Sequence, residues 1–192
     1  MNAVERIVEI YFQKIYNCLT CPDTKIKNGN NRQFDLLAYS IKDRKQYHVE
    51  SSVTHGVDWN PTLAWLIEKI EYKFFGEPSK TDNQSKNTDK AKNKNYLEQI
   101  KQQYYEYGFN FEELHRVWVL WCFDKLSRDE YILKGKKYYL KNCIRDKEIE
   151  IIPFREIIIP KLIKKIGTSN YEDEIIRTFS LIAQYQKQKT GS

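Results

Sequence analysis

Over the first fifteen residues, Val4, Ile7, Val8, Tyr11 and Ile15 recur every three or four positions, which predicts an amphipathic helix with one core-facing stripe. Glu5 and Glu9 lie one turn apart on its flank, and the helix should stop near Asn17. The pattern then changes. Cys18 to Lys27 is strand-like in part and broken by Pro22-Asp23, and Asn28-Gly29-Asn30-Asn31 is a turn signal because Asn and Gly tolerate positive φ. This turn separates two runs able to pair as a hairpin, the second being Gln33 to Tyr39. A third run, Gln46 to Thr54, alternates: Tyr47, Val49, Ser51 and Val53 share a mostly apolar face, while His48, Glu50, Ser52 and Thr54 share a wholly polar one.

Pro61 suits the first turn of a second helix, whose buried stripe is Leu63, Leu66, Ile67, Ile70 and Phe74 and which ends at Gly76-Glu77-Pro78. Residues 77–95 then read as a polar insertion, expected to be mobile, since Ala91 is the one apolar residue from Ser79 to Asn95. Helical spacing resumes at Tyr96 and runs towards Tyr107. Arg116 to Phe123 is nearly continuous in apolar residues, as a central strand is, and Glu148 to Phe154 is a further strand candidate with Pro153 near its end. Arg155 to Ile166 predicts a helix that Pro160 must kink or delay. Asn170 can cap a final helix with Ile175, Phe179 and Ile182 facing the core. The sum is an α/β chain, one domain over residues 1–190, with a mixed central sheet flanked by helices.

Composition narrows this picture little. The 192 residues are 41% hydrophobic, as a globular domain requires, and contain no apolar run of membrane-spanning length. The first residues lack the basic and apolar regions of a secretory signal, so the expectation is a cytoplasmic protein without a membrane partner. A net charge of +6 favours a phosphate-backbone partner, although lysine-rich surfaces also serve solubility alone. Cys18 and Cys21 have the spacing of zinc ligands but lack a second close pair, so the four cysteines are expected to be free thiols.

The chemistry concentrates between Asn30 and His55. Asp35 lies in one apolar strand and Glu50 in the next, and carboxylates inside strands cost desolvation unless paired or bound to a cation. Two on neighbouring strands can hold Mg²⁺ or Mn²⁺, hard ions that take oxygen ligands. Phe34-Asp35-Leu36-Leu37-Ala38, a turn, then Tyr47-His48-Val49-Glu50-Ser51-Ser52 resembles the pattern of the PD-(D/E)XK nuclease superfamily, which includes restriction enzymes and Holliday junction resolvases. The resemblance covers about residues 4 to 54 and implies a restriction endonuclease-like fold. It implies Asp35 and Glu50 as metal ligands, the Ser51 carbonyl as another, and Glu5, with Glu9 second, as an assisting glutamate from the first helix.

Two positions depart from the pattern. Phe34 replaces its proline, and Ser52 stands where the lysine that polarises the attacking water belongs. Lys73, about 80° from the centre of the second helix's apolar stripe, is the best-placed substitute; Lys69, at about 120°, is less so. The expected activity is metal-dependent hydrolysis of DNA phosphodiester bonds. The alternative is an inactive nuclease fold retained for nucleic-acid binding or protein interaction, and a homodimer is left open. A Ser52–His48–Asp35 hydrolase is a weaker third reading, since no nucleophile elbow accompanies it. His48 and His55 are further candidates for substrate or metal contact, and Trp59 and Trp65 read as packing groups.

Overall fold

Asn2 starts the first helix, α1 (Ala3–Ile15), with a reciprocal cap: its side chain accepts from Glu5 N at 3.0 Å, and the Glu5 carboxylate accepts from Asn2 N at 2.7 Å. In the computed structural model, which describes residues 2–29, 31–53, 60–78 and 95–190, this helix lies across one face of a seven-stranded mixed sheet. The strands are β1 (Cys18–Lys25), β2 (Gln33–Ser40), β3 (Lys45–Ser52), β4 (His115–Leu120), β5 (Tyr131–Lys134), β6 (Lys137–Leu140) and β7 (Ile149–Pro153). Their spatial order is β1-β2-β3-β4-β7-β6-β5. β1, β2 and β3 form an antiparallel meander, β3, β4 and β7 are parallel, and β6 and β5 return antiparallel. Helices α2 (Leu63–Phe75) and α3 (Leu97–Glu106) connect β3 to β4, while α4 (Ile159–Ile166) and α5 (Glu174–Lys189) follow β7.

Strand alternation divides the core into two sides. Leu36, Ala38, Tyr47, Val49, Val117 and Val119 pack against Val8, Tyr11 and Phe12 of α1 and Leu162 of α4, with Val4 and Ile7 partly buried beside them. On the other side Trp118, Leu120, Ile149 and Ile151 meet Leu66, Ile70 and Phe74 of α2, the stripe expected from the sequence. β4 is buried on both faces, hence its unbroken apolar run.

The polar face of β3 is buried, with His48 0% and Glu50 1% exposed, because α2 and α3 cover it. Several expectations need correction. The β5–β6 hairpin was missed, although Gly135-Lys136 joins two short β-rich runs and Gly135 adopts φ 64°, as a two-residue turn demands. The last helix is capped by Asp173, not Asn170, through bonds from Ile175 N and Ile176 N. Ile182 is exposed, and Ile176 takes its inward place. Pro160 delays its helix as anticipated: a π-helical turn, Phe154–Ile158, precedes α4. Of the polar insertion, residues 79–94 lie outside the described residues, as do His55 and Trp59. The two flanks of that segment are tied, Tyr96 N donating to Gly76 O at 2.8 Å and Asn95 Nδ2 to Glu77 Oε1 at 2.8 Å. Trp65 packs edge-on against Trp118, and the described cysteines are free. Among the described residues no helix is long and apolar enough to cross a membrane.

Gly76 ends α2 at φ 74°, and a Cβ there would collide with Leu97 N and meet Tyr96 C at 2.5 Å. Gly76→Ala combines a left-handed backbone with a clash against main chain that has nowhere to go. It should cost more than about 2 kcal/mol, read as a lowered urea midpoint.

Candidate active site

Pairing between β2 and β3 stops at Leu36↔Val49. Asp35 and Glu50 would form the next pair, but side chains replace the ladder there. Asp35 N donates to Glu50 Oε1 at 3.2 Å, and Ser51 N donates to Asp35 Oδ2 at 3.0 Å, with the Ser51 hydroxyl at 3.4 Å from the same oxygen. Each carboxylate thereby occupies a backbone donor of the opposite strand, which satisfies groups the interrupted ladder would leave bare. Both acids of the sequence pattern converge.

Lys73 of α2 completes the cluster. Its ammonium donates to Asp35 Oδ1 at 3.0 Å and to the Gln33 carbonyl at 3.2 Å, and lies 2.5 Å from Glu50 Oε2. Helix α2 brings it there because Ile70 and Phe74, on the same helix, anchor one edge of the apolar stripe against the sheet. Arg32 fixes the helix end. Its guanidinium stacks 3.7 Å from the Tyr72 ring and donates to the carbonyls of Tyr72 and Glu77. The Lys73 side chain is 23% exposed and that of Asp35 12%, so the cluster reaches solvent through these two.

Burial is the main electrostatic influence. It pushes the Asp35 carboxyl up to about 6, helped by neighbouring Glu50 and opposed by Lys73 and the Ser51 N–H. It raises Glu50 too, against the pull of Lys73 and the Asp35 N–H. For Lys73 burial alone would lower the pKa, but Glu50 and Asp35 outweigh it and hold the ammonium above its ordinary range. His48 is pushed well below the usual histidine value by burial and then by Lys73, so its ring is neutral at pH 7. It bridges Glu50 Oε1 and the Tyr104 hydroxyl, both at 2.6 Å.

The other expected residues lie elsewhere. Glu5 is engaged in the helix cap, and α1 packs on the face of the sheet opposite α2, so Glu5 is not brought to the cluster. Glu9 is buried, but it bonds Arg6, Gln13 and Thr20. Ser52 accepts from the Trp118 indole at 2.8 Å and takes no part in the carboxylate pair. With Ser52 and His48 committed to different partners, a Ser52–His48–Asp35 triad is not assembled. Tyr104 was missed; its spacing from Ile100 marks a buried stripe, but a bond to His48, far away in sequence, leaves no local signal.

The donor set suits a hard cation. Glu50 Oε2 is buried and takes no partner other than the Lys73 ammonium 2.5 Å away, so a cation bound there would share this oxygen with Lys73. Mg²⁺ needs only one or two carboxylates beside water. Among the described residues no group of three or more His, Cys, Asp or Glu side chains is arranged to hold a metal ion, and the Ser51 carbonyl is the further ligand the sequence pattern offers. Neither a protein-family model, nor a curated protein, nor a solved structure matches this chain.

Proposed function

We propose that this protein is a divalent-metal-dependent nuclease that hydrolyses phosphodiester bonds in DNA, with a restriction endonuclease-like fold of the PD-(D/E)XK superfamily. The order helix, three antiparallel strands, helix supports that fold, with Asp35 on the second strand and Glu50 on the third. One observation carries the catalytic reading: Lys73 supplies the ammonium that the motif lacks at Ser52, within 3.0 Å of Asp35 and 2.5 Å of Glu50. The inactive-module reading rested on the missing lysine, and its main support weakens once another lysine stands beside both acids.

Asp35 and Glu50 would hold Mg²⁺ or Mn²⁺, with the Ser51 carbonyl as a further ligand. The bound ion would lower the pKa of a coordinated water and neutralise charge on the phosphate. The Lys73 ammonium, reaching solvent beside the carboxylates, would position and polarise the attacking water in the transition state, the role the motif lysine has. The net charge of +6 favours docking of a polyanion.

The test is cleavage of plasmid, branched and single-stranded DNA with Mg²⁺ or Mn²⁺. Asp35→Ala and Glu50→Ala should each abolish cleavage and weaken Mn²⁺ binding while circular dichroism remains that of a folded protein. Undiminished cleavage by these variants removes the proposed site. A wild type that neither cuts DNA nor binds Mn²⁺ returns the reading to an inactive module.

A further inference from the structure

Both nitrogens of the wholly buried His48 ring are committed, Nε2 to Glu50 Oε1 and Nδ1 to the Tyr104 hydroxyl, each at 2.6 Å. The ring is held edge-on by Phe34 at 4.6 Å and Phe74 at 4.5 Å. Tyr104 is buried as well, and its ring stacks parallel on Phe34 at 4.7 Å. A neutral imidazole has one N–H to give. Glu50 Oε1 already accepts from Asp35 N, and Oε2 faces an ammonium, so the carboxylate is the acceptor towards His48. The proton therefore sits on Nε2, and Nδ1 accepts from the Tyr104 hydroxyl. The hydrogen bonds run one way, from Tyr104 through His48 to Glu50.

Resting on the metal-site reading, we infer that His48 and Tyr104 are positioning residues that lock the Glu50 carboxylate with Oε2 turned towards Lys73 and the cation. A glutamate has three side-chain torsions, and the Asp35 N–H at 3.2 Å alone is a weak tether. The 2.6 Å bond from a ring clamped by aromatics fixes the second point. Partners of this kind, one bond removed from a metal, typically govern about 10- to 100-fold in its affinity. Neither residue touches substrate in this scheme.

The test titrates Mn²⁺ into the full chain by calorimetry, for wild type, Tyr104→Phe, His48→Leu and His48→Gln, alongside urea unfolding. Tyr104→Phe keeps the ring stack and should stay folded with a modestly lowered urea midpoint, since His48 Nδ1 loses its donor, and bind Mn²⁺ about 10-fold more weakly. His48→Leu should lose at least as much, and His48→Gln, which returns an N–H towards Oε1, should recover part of it. Equal Mn²⁺ affinity in wild type, Tyr104→Phe and His48→Leu overturns the inference. Nitrogen-15 chemical shifts give a second readout without metal: the proton should be on Nε2 of His48, and a proton on Nδ1 overturns the inference directly. If wild type binds no Mn²⁺, the metal reading falls. An Nε2–H proton whose chemical shift moves or whose exchange quickens in Tyr104→Phe still establishes the two residues as holding Glu50 in place.

Discussion

Lys73→Met should lower stability by about 3–5 kcal/mol at neutral pH in metal-free buffer, because it strips the countercation from two buried carboxylates and leaves methionine's apolar end among them. Asp35 and Glu50 already have raised pKa values with the ammonium in place, at 3.0 and 2.5 Å, and its loss pushes them further up. The folded variant should then hold protons that its unfolded chain releases, so its stability recovers as pH falls and worsens as pH rises through the folded values. Mn²⁺ should rescue it as well, by about 2.7 kcal/mol at a free concentration a hundred times Kd, because the ion takes over the vacated charge. Cleavage should stay about 100- to 1000-fold down even when the metal has restored the fold, since no ammonium remains for the transition state. Urea midpoints with and without Mn²⁺, beside plasmid cleavage, check all three effects. A midpoint indifferent to both the substitution and Mn²⁺ would mean that these carboxylates are not a cation site.

Much of this arrangement was legible in the residues. The turn signal before Gln33–Tyr39 and the alternation in Gln46–Thr54 located β2 and β3, and a carboxylate in each announced a buried polar pair, because an acid inside a strand needs a partner. The angle of Lys73 on an amphipathic helix placed it at the edge of the buried stripe, from which its long stem reaches the acids. What periodicity could not disclose was depth. A strand face reading His-x-Glu-x-Ser does not name what covers it, and here one ring and one carboxylate satisfy each other beneath α3. Arg116, the first residue of the run read as a central strand, is likewise 1% exposed, stacked 4.5 Å from the Phe111 ring and donating to the carbonyls of Leu114 and Phe111. Glu5 failed for the opposite reason: three residues after Asn2 it satisfies a capping box, a local bond that competes with any distant role. Local signals therefore identified the elements around the site, though not the β5–β6 hairpin, while long-range bonding decided which polar residues converge.

Asp35→Asn should make the metal-free protein more stable at neutral pH while destroying its activity. The Asp35 carboxyl has a folded pKa of about 6 against an ordinary 3.8, because burial and then Glu50 disfavour its charge. Between those values the folded protein keeps a proton that the unfolded chain has lost, so stability falls as pH rises from about 4 to about 6 and stays lower above. The gap from 3.8 to about 6 sets an upper bound of about 3 kcal/mol. An asparagine accepts more weakly from Lys73 and the Ser51 N–H than a carboxylate does, so a net gain of about 1–2 kcal/mol is the expected result. Urea midpoints of wild type and variant should be close at pH 4, where Asp35 is largely protonated in the folded state, and diverge by pH 7.5 in favour of the variant. Mn²⁺ should reverse the order, stabilising wild type and leaving Asp35→Asn nearly unmoved, because the variant keeps only Glu50 as an ionised ligand. Such a pattern belongs to a carboxylate retained against its folding cost for the sake of a bound cation. Were Asp35→Asn less stable than wild type at pH 7.5 without metal, the ion pair with Lys73 would be a structural bond, and the case for a metal site would lose its energetic basis.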